Sequence, residues 1–214
     1  FYISHTYEPV EILDESKVRA MVGEPSFKPQ IVPGRSTNVQ GLATGEGQHE
    51  LIKSRHEAML KVPALFTEIN KQFEEVSGRK YSAIDTQIPK KAKTLFVAAG
   101  ATAETVRWAL PYLENTGLIQ VRLFRPYMDQ LLRDIVEDSK VEKIIVVDRN
   151  CSVGMGGIFA QELRSALYRL PNPPVIEDLI LAGGIDLTLP MLQSMLNKNS
   201  DHQTTLNIWG GELK

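Results

Sequence analysis

The sequence predicts an α/β fold: a mostly parallel open sheet, preceded by a turn-rich connector and a long helical segment. Three observations carry this expectation. From residue 94 onward, short apolar runs alternate with amphipathic stretches of helical period. The runs TLFVAA (94–99), IQVRLF (119–124), KIIVVD (143–148) and VIEDLILA (175–182) are apolar at most consecutive positions, as strands covered on both faces are. Several of them end in glycine-rich or charged elbows, AAGATAET, RLFRPYM and DRNCSVGMGG. Strands joined through helices in this way imply parallel pairing with right-handed crossovers.

The elements follow in order. Tyr2, Ser4, His5, Thr6, Tyr7, Val10 and Ile12 form an alternating opening segment, and a short helix over Asp14 to Val22 closes at Gly23. Residues 24–49 hold Pro25, Pro29, Pro33, Gly34, Gly41, Gly45 and Gly47, a connector expected to lie against a larger body. Helix follows over His49 to Val76, with Leu51, Ile52, Met59, Leu60, Leu65, Phe66, Ile69 and Phe73 as its apolar stripe, Pro63 as a break and Gly78 as a stop. Lys61, Glu68, Lys71, Glu74 and Glu75 read as its wetted face. The strands are then separated by helices over Ala103 to Leu113, Met128 to Glu137, Gly157 to Leu170 and Thr188 to Leu196, with a last strand over Thr204 to Ile208. Three segments result: 1–33, which cannot form a domain alone; 34–87, connector and helix; 88–214, the α/β domain.

With 214 residues and 43% hydrophobic content, the chain buries a core of ordinary size. Its net charge of -2 argues against nucleic acid, whose electrostatic footprint is a basic face. No apolar run approaches the roughly 20 residues of a membrane span. A single cysteine, Cys151, excludes an internal disulfide and a four-cysteine cluster built by this chain alone, and fits a cytoplasmic setting. The start FYISHTYEP lacks both an initiator methionine and a secretory pattern, so the chain is expected to be a fragment.

Candidate chemistry sits at the strand ends, where open α/β sheets bind ligands. At AAGATAET, Gly100 opens a turn and Thr102 is placed to cap the next helix; the pattern is a plain βα turn, with a phosphate on free N–H groups as the alternative. Arg122 and Arg125 bracket a strand end, and Pro126 fits the first turn of the following helix. Arg125 is expected to bridge to a neighbouring elbow such as Asp148, or else to face a partner. Asp148, Arg149 and Asn150 end the next strand, while Gly154, Gly156 and Gly157 let the chain turn tightly into a helix. Cys151 reads as a small packed thiol, with no histidine in sequence reach. His49 and His56 have no metal-ligand spacing, and His202 lies in a polar linker.

The run from about Lys93 to Leu196 resembles the second domain of the alpha subunit of pyruvate and other 2-oxoacid:ferredoxin oxidoreductases, a Rossmann-like domain similar to the transketolase C-terminal domain. The matching stretches are VRLFRPYM, VVDRNCSVGMGGIFAQELRSALY and LILAGGIDLTLPMLQSML. SHTYEPVEIL looks like the exit of the family's first domain, which binds the pyrimidine side of thiamine diphosphate, and SGRKYSAID like the approach to the second. Tyr127 and Met128 stand where the family has Phe-Pro, and Ala182 and Ile185 replace a leucine and an arginine.

The resemblance implies oxidative decarboxylation of a 2-oxoacid to acyl-coenzyme A and CO2, with electrons passed to ferredoxin. Thiamine diphosphate, Mg2+ and [4Fe-4S] clusters would serve the whole complex, with none bound by this chain alone. Partners would be a thiamine-diphosphate-binding beta, a gamma and a ferredoxin-like delta subunit, with no membrane and no nucleic acid. No catalytic, cofactor-binding or metal-binding residue is assigned; Arg122, Arg125, Asp148, Arg149, Asn150, Gly154, Gly156 and Gly157 are candidate interdomain or interface residues. Arg125, Asp148 and Arg149 are expected to form a charged knot, with Arg149 or Asn150 toward a partner. A transketolase-like or branched-chain 2-oxoacid dehydrogenase subunit and a non-catalytic nucleotide-binding module are the alternatives.

Overall fold

The computed structural model describes residues 7, 9–24, 33–34, 44–198 and 207–213. The start of the expected opening strand with His5, most of the connector, His202 and the beginning of the expected last strand lie outside the described residues. The chain divides into two compact units, Phe1–Tyr81 and Ser82–Lys214.

The first unit is helical. α1 (Glu15–Val22) starts where the Asp14 carboxylate accepts the Lys17 N–H at 3.1 Å and ends at Gly23, whose φ of 70° suits glycine. α2 (Gly45–Leu60) and α3 (Val62–Ser77) divide at Lys61, with Pro63 in the first turn of α3, where its missing N–H has no intrahelical partner to lose. Gly78 closes α3 in the left-handed conformation, φ 69°. The apolar stripe behaves differently from its sequence pattern: Leu51, Ile52, Met59, Leu60, Leu65 and Ile69 are exposed, and no residue of the three helices is buried. His49 and His56 are exposed as well.

The second unit is a three-layer α/β sandwich. Its strands are β1 (Ile84–Gln87), β2 (Thr94–Ala99), β3 (Thr116–Val121), β4 (Lys143–Asp148), β5 (Val175–Ile180) and β6 (Asn207–Trp209), in the order β1-β3-β2-β4-β5-β6. β1 pairs antiparallel with β3 and every other pair is parallel. The helices are α4 (Gly100–Ala109), continued by a tight 3-10 turn over Leu110–Tyr112, then α5 (Asp129–Ser139), α6 (Ile158–Leu167) and α7 (Leu189–Asn197). Phe96, Leu118, Ile145 and Leu179 face α4 and α7, while Leu95, Ile119, Ile144 and Val146 face α5 and α6, so both faces of the sheet are buried.

Three departures have physical causes. β1 lies in residues read as connector, because a four-residue edge strand with only Ile84 buried carries no apolar run. β3 occupies 116–121 rather than 119–124, since its register is set by pairing along the whole of β2, from Thr94 opposite Thr116 to Ala99 opposite Val121. α7 lies on the α4 face although β5 to β6 runs along the sheet opposite to β2 to β3. The α4, α5 and α6 connections therefore share one hand and the last has the other, contrary to the uniform right-handed expectation.

Candidate functional site

The sheet reverses direction at β2, whose neighbours are β3 and β4, so the switch-point crevice opens at the carboxyl ends of β2 and β4. Arg149 spans it. Its Nε donates to Thr102 Oγ1 at 3.3 Å and its Nη1 to the Ile185 carbonyl at 3.0 Å, tying the start of α4 to the loop after β5. Thr102 is buried inside α4 and makes this contact instead of the expected cap; Ala99 holds the cap position without a side-chain bond.

The turn between β4 and α6 is built around the four N–H groups that a helix start leaves unpaired. Gly157, at the cap position, has no side chain to supply an acceptor. Distant groups do so. Asp178 Oδ2 accepts the Gly157 N–H at 2.6 Å and Asn150 Oδ1 that of Ile158 at 3.0 Å. Asp148 Oδ1 and Oδ2 accept those of Phe159 at 3.2 Å and Ala160 at 3.0 Å, and Asn150 Nδ2 donates back to Asp148 at 3.2 Å. The fit requires glycine at 157 through space rather than φ, because a Cβ there would stand 2.1 Å from Asp148 Oδ2. Gly154 and Gly156, at φ 85° and 96°, allow the tight return, and the Ser152 and Gly156 backbones pair across it, Ser152 N–H to Gly156 O at 2.8 Å. At its tip Val153 is 97% and Met155 62% exposed; Cys151 is half-buried.

Burial pushes both acids up. Asp178 rises from 3.8 to about 6, and Asp148 is raised by burial against the lowering effect of the Ala160 and Phe159 amides.

The expected charged knot does not form. Asp148 is surrounded by helix amides, while Arg125 lies outside, its guanidinium 4.1 Å over the Phe124 ring and paired with Glu162 of α6. Pro126 follows a cis peptide bond and precedes α5, which starts at Asp129, so it is not in the first helical turn as expected. Arg122 turns back to Gln120 Oε1 at 3.0 Å and Asp85 Oδ2 at 3.4 Å, where Arg107 also binds both at 2.7 and 3.1 Å. The structure thus brings Asp148, Asn150 and Gly157 together with Asp178, and leaves Arg122, Arg125 and Arg149 at three separate places. Sequence reading passed over Asp178 and Lys143; adjacent acids Glu177 and Asp178 inside an otherwise apolar strand were the available signal.

One cysteine does not ligate a cluster, and among the described residues no group of three or more His, Cys, Asp or Glu could hold a metal. The amides at the α6 start already bond to side chains and offer a phosphate nothing. Among the described residues, no helix is long and apolar enough to cross a membrane.

Residues 92–191, which contain β2 through α6, β5 and all the elbows above, match the family model for pyruvate:ferredoxin oxidoreductase core domain II. Beyond those residues, the chain is similar over most of its length to subunits of 2-oxoacid oxidoreductases. The chain is 29% identical over 194 residues to pyruvate synthase subunit PorA of Thermotoga maritima, covering 87% of the chain and 49% of the relative. It is 34% identical over 201 residues to ketoisovalerate oxidoreductase subunit VorA of Pyrococcus horikoshii, covering 88% and 49%. A solved 2-oxoglutarate:ferredoxin oxidoreductase from Magnetococcus marinus aligns over 86% of the chain and 29% of that one, at 18% identity and a TM-score of 0.48. The chain spans about half the length of the curated relatives it matches.

Proposed function

We propose that this chain is part of the alpha subunit of a thiamine-diphosphate-dependent 2-oxoacid:ferredoxin oxidoreductase, and that its role there is architectural. The whole enzyme converts a 2-oxoacid such as pyruvate to acyl-coenzyme A and CO2 and passes electrons to ferredoxin in the cytoplasm. Thiamine diphosphate, Mg2+ and the iron–sulfur clusters belong to other domains and to beta, gamma and delta subunits. One observation carries the architectural reading: the polar groups of the elbow after β4 bond inward to α6, and its tip turns Val153 and Met155 outward on a hydrogen-bonded turn. Such a rigid apolar tip suits contact with a neighbouring domain or subunit. Gly154, Gly156 and Gly157 shape it, and Arg149 and Asn150 hold its base.

The test is Val153→Lys with Met155→Lys in the full-length protein. Native mass measurement should show loss of co-purifying thiamine-diphosphate-binding and cluster-bearing chains, with unchanged circular dichroism. Retained assembly together with a raised apparent KM for the 2-oxoacid would place the tip at substrate instead and overturn the reading.

A further inference from the structure

Asp148 and Asp178 meet beneath the start of α6. Both are fully buried. Both border the point where a Gly157 Cβ would stand, Asp148 Oδ2 at 2.1 Å and Asp178 Oδ1 at 2.6 Å from it, so the two carboxylate oxygens turn toward the same spot. Two ionised carboxylates only accept, so a hydrogen bond between them needs a proton on one of them. The amides decide which. Asp148 accepts from Phe159 and Ala160 and from the Asn150 amide, as a carboxylate does. Asp178 uses Oδ2 for the Gly157 N–H, and its Oδ1 has no partner among the described residues.

We infer that the two acids form a one-proton site, in which Asp178 Oδ1 carries the proton and donates it to Asp148, and that losing this proton loosens the turn 149–157 from α6. On deprotonation the proton passes to solvent and two carboxylates face each other across Gly157. The groups around the pair do not replace it. Arg164 of α6 acts on Asp178 but directs Nη2 to the Ile176 carbonyl at 3.3 Å. Tyr127, from the segment before α5, is a neutral phenol near Asp148, and Glu162 of α6 pairs with Arg125.

The sign follows from linkage. Asp178 is raised from 3.8 to about 6, so the folded chain binds the proton more tightly than the unfolded one. Its contribution is fully present below 3.8 and lost as pH rises through about 6. A difference of about two pH units corresponds to on the order of a hundredfold in the folding equilibrium.

Hydrogen exchange of the intact protein, corrected for intrinsic rates, tests this. Protection of the Gly157, Phe159 and Ala160 amides should fall about tenfold or more between pH 5 and pH 8. Asp178→Asn, which donates a permanent N–H in place of the proton, should keep the low-pH protection at both. An unchanged parent, or a variant that loses protection like the parent, overturns the inference. Infrared difference spectra of the unmodified protein give a reading independent of the variant's folding: a protonated-carboxyl band must be present at pH 5 and gone at pH 8. Its absence at pH 5 also overturns the inference.

Discussion

Lys143 shows how one side chain joins two elements. Its ammonium has three donors, directed to Glu177 Oε1 at 3.0 Å, Met195 O at 2.7 Å and Lys198 O at 2.9 Å. It therefore neutralises a fully buried carboxylate on β5 and caps the last turn of α7, whose carbonyls carry the negative end of the helix dipole. Lys143→Met should cost about 3–5 kcal/mol in denaturant unfolding, as expected when a buried charge loses its counter-ion. Arg125 presents the opposite case. Its side chain is 47% exposed, so Arg125→Ala should cost no more than about 1 kcal/mol by the same measurement. The buried hydroxyl of Tyr127 has no partner among the described residues. Tyr127→Phe should raise stability by about 1 kcal/mol or more, because it removes an unsatisfied polar group and keeps the edge contact with Phe124 at 5.9 Å.

At the scale of the element, the turn between β4 and α6 is over-determined: three side chains, from β4, from β5 and from the turn itself, hold four amides. Its glycines are constrained for different reasons. Gly157→Ala would drive a methyl into Asp148, an overpacking worth about 1–3 kcal/mol and more if the amide bonds break with it. Gly154 has open space around it but φ 85°, so Gly154→Ala pays about 1–2 kcal/mol of backbone strain and leaves the Asp148 bonds intact. Thermal unfolding of the two variants should separate them, with only Gly157→Ala also weakening amide protection at Phe159 and Ala160.

At the scale of the whole molecule, the described core lies within Ser82–Lys214, whereas α1, α2 and α3 bury no residue and expose their apolar stripe. A helix whose apolar face is wet gains little from packing, and short isolated helices are marginal. Expressed separately, residues 82–214 should unfold in one cooperative transition, and residues 1–81 should show a broad, non-cooperative loss of helix by circular dichroism. A sharp transition in the smaller piece would show that its helices have a core of their own.

The alternation of β and α, the strands TLFVAA and KIIVVD at their observed bounds, the stops at Gly23 and Gly78 and the break at Pro63 were all legible in the chain. They depend on period, propensity and dihedral preference, which are local. Asp148, Asn150 and Gly157 were legible as a turn of consequence for the same reason. Their common partner Asp178, thirty residues beyond Asp148, was not, and neither was the separation of Arg125 from Asp148. Strand register, the edge strand β1 and the face taken by α7 likewise depend on which strands become neighbours. The sequence determined which segments are strands and helices and where they stop; only the tertiary structure decided which charges meet, because burial and proximity are set by pairings between distant segments.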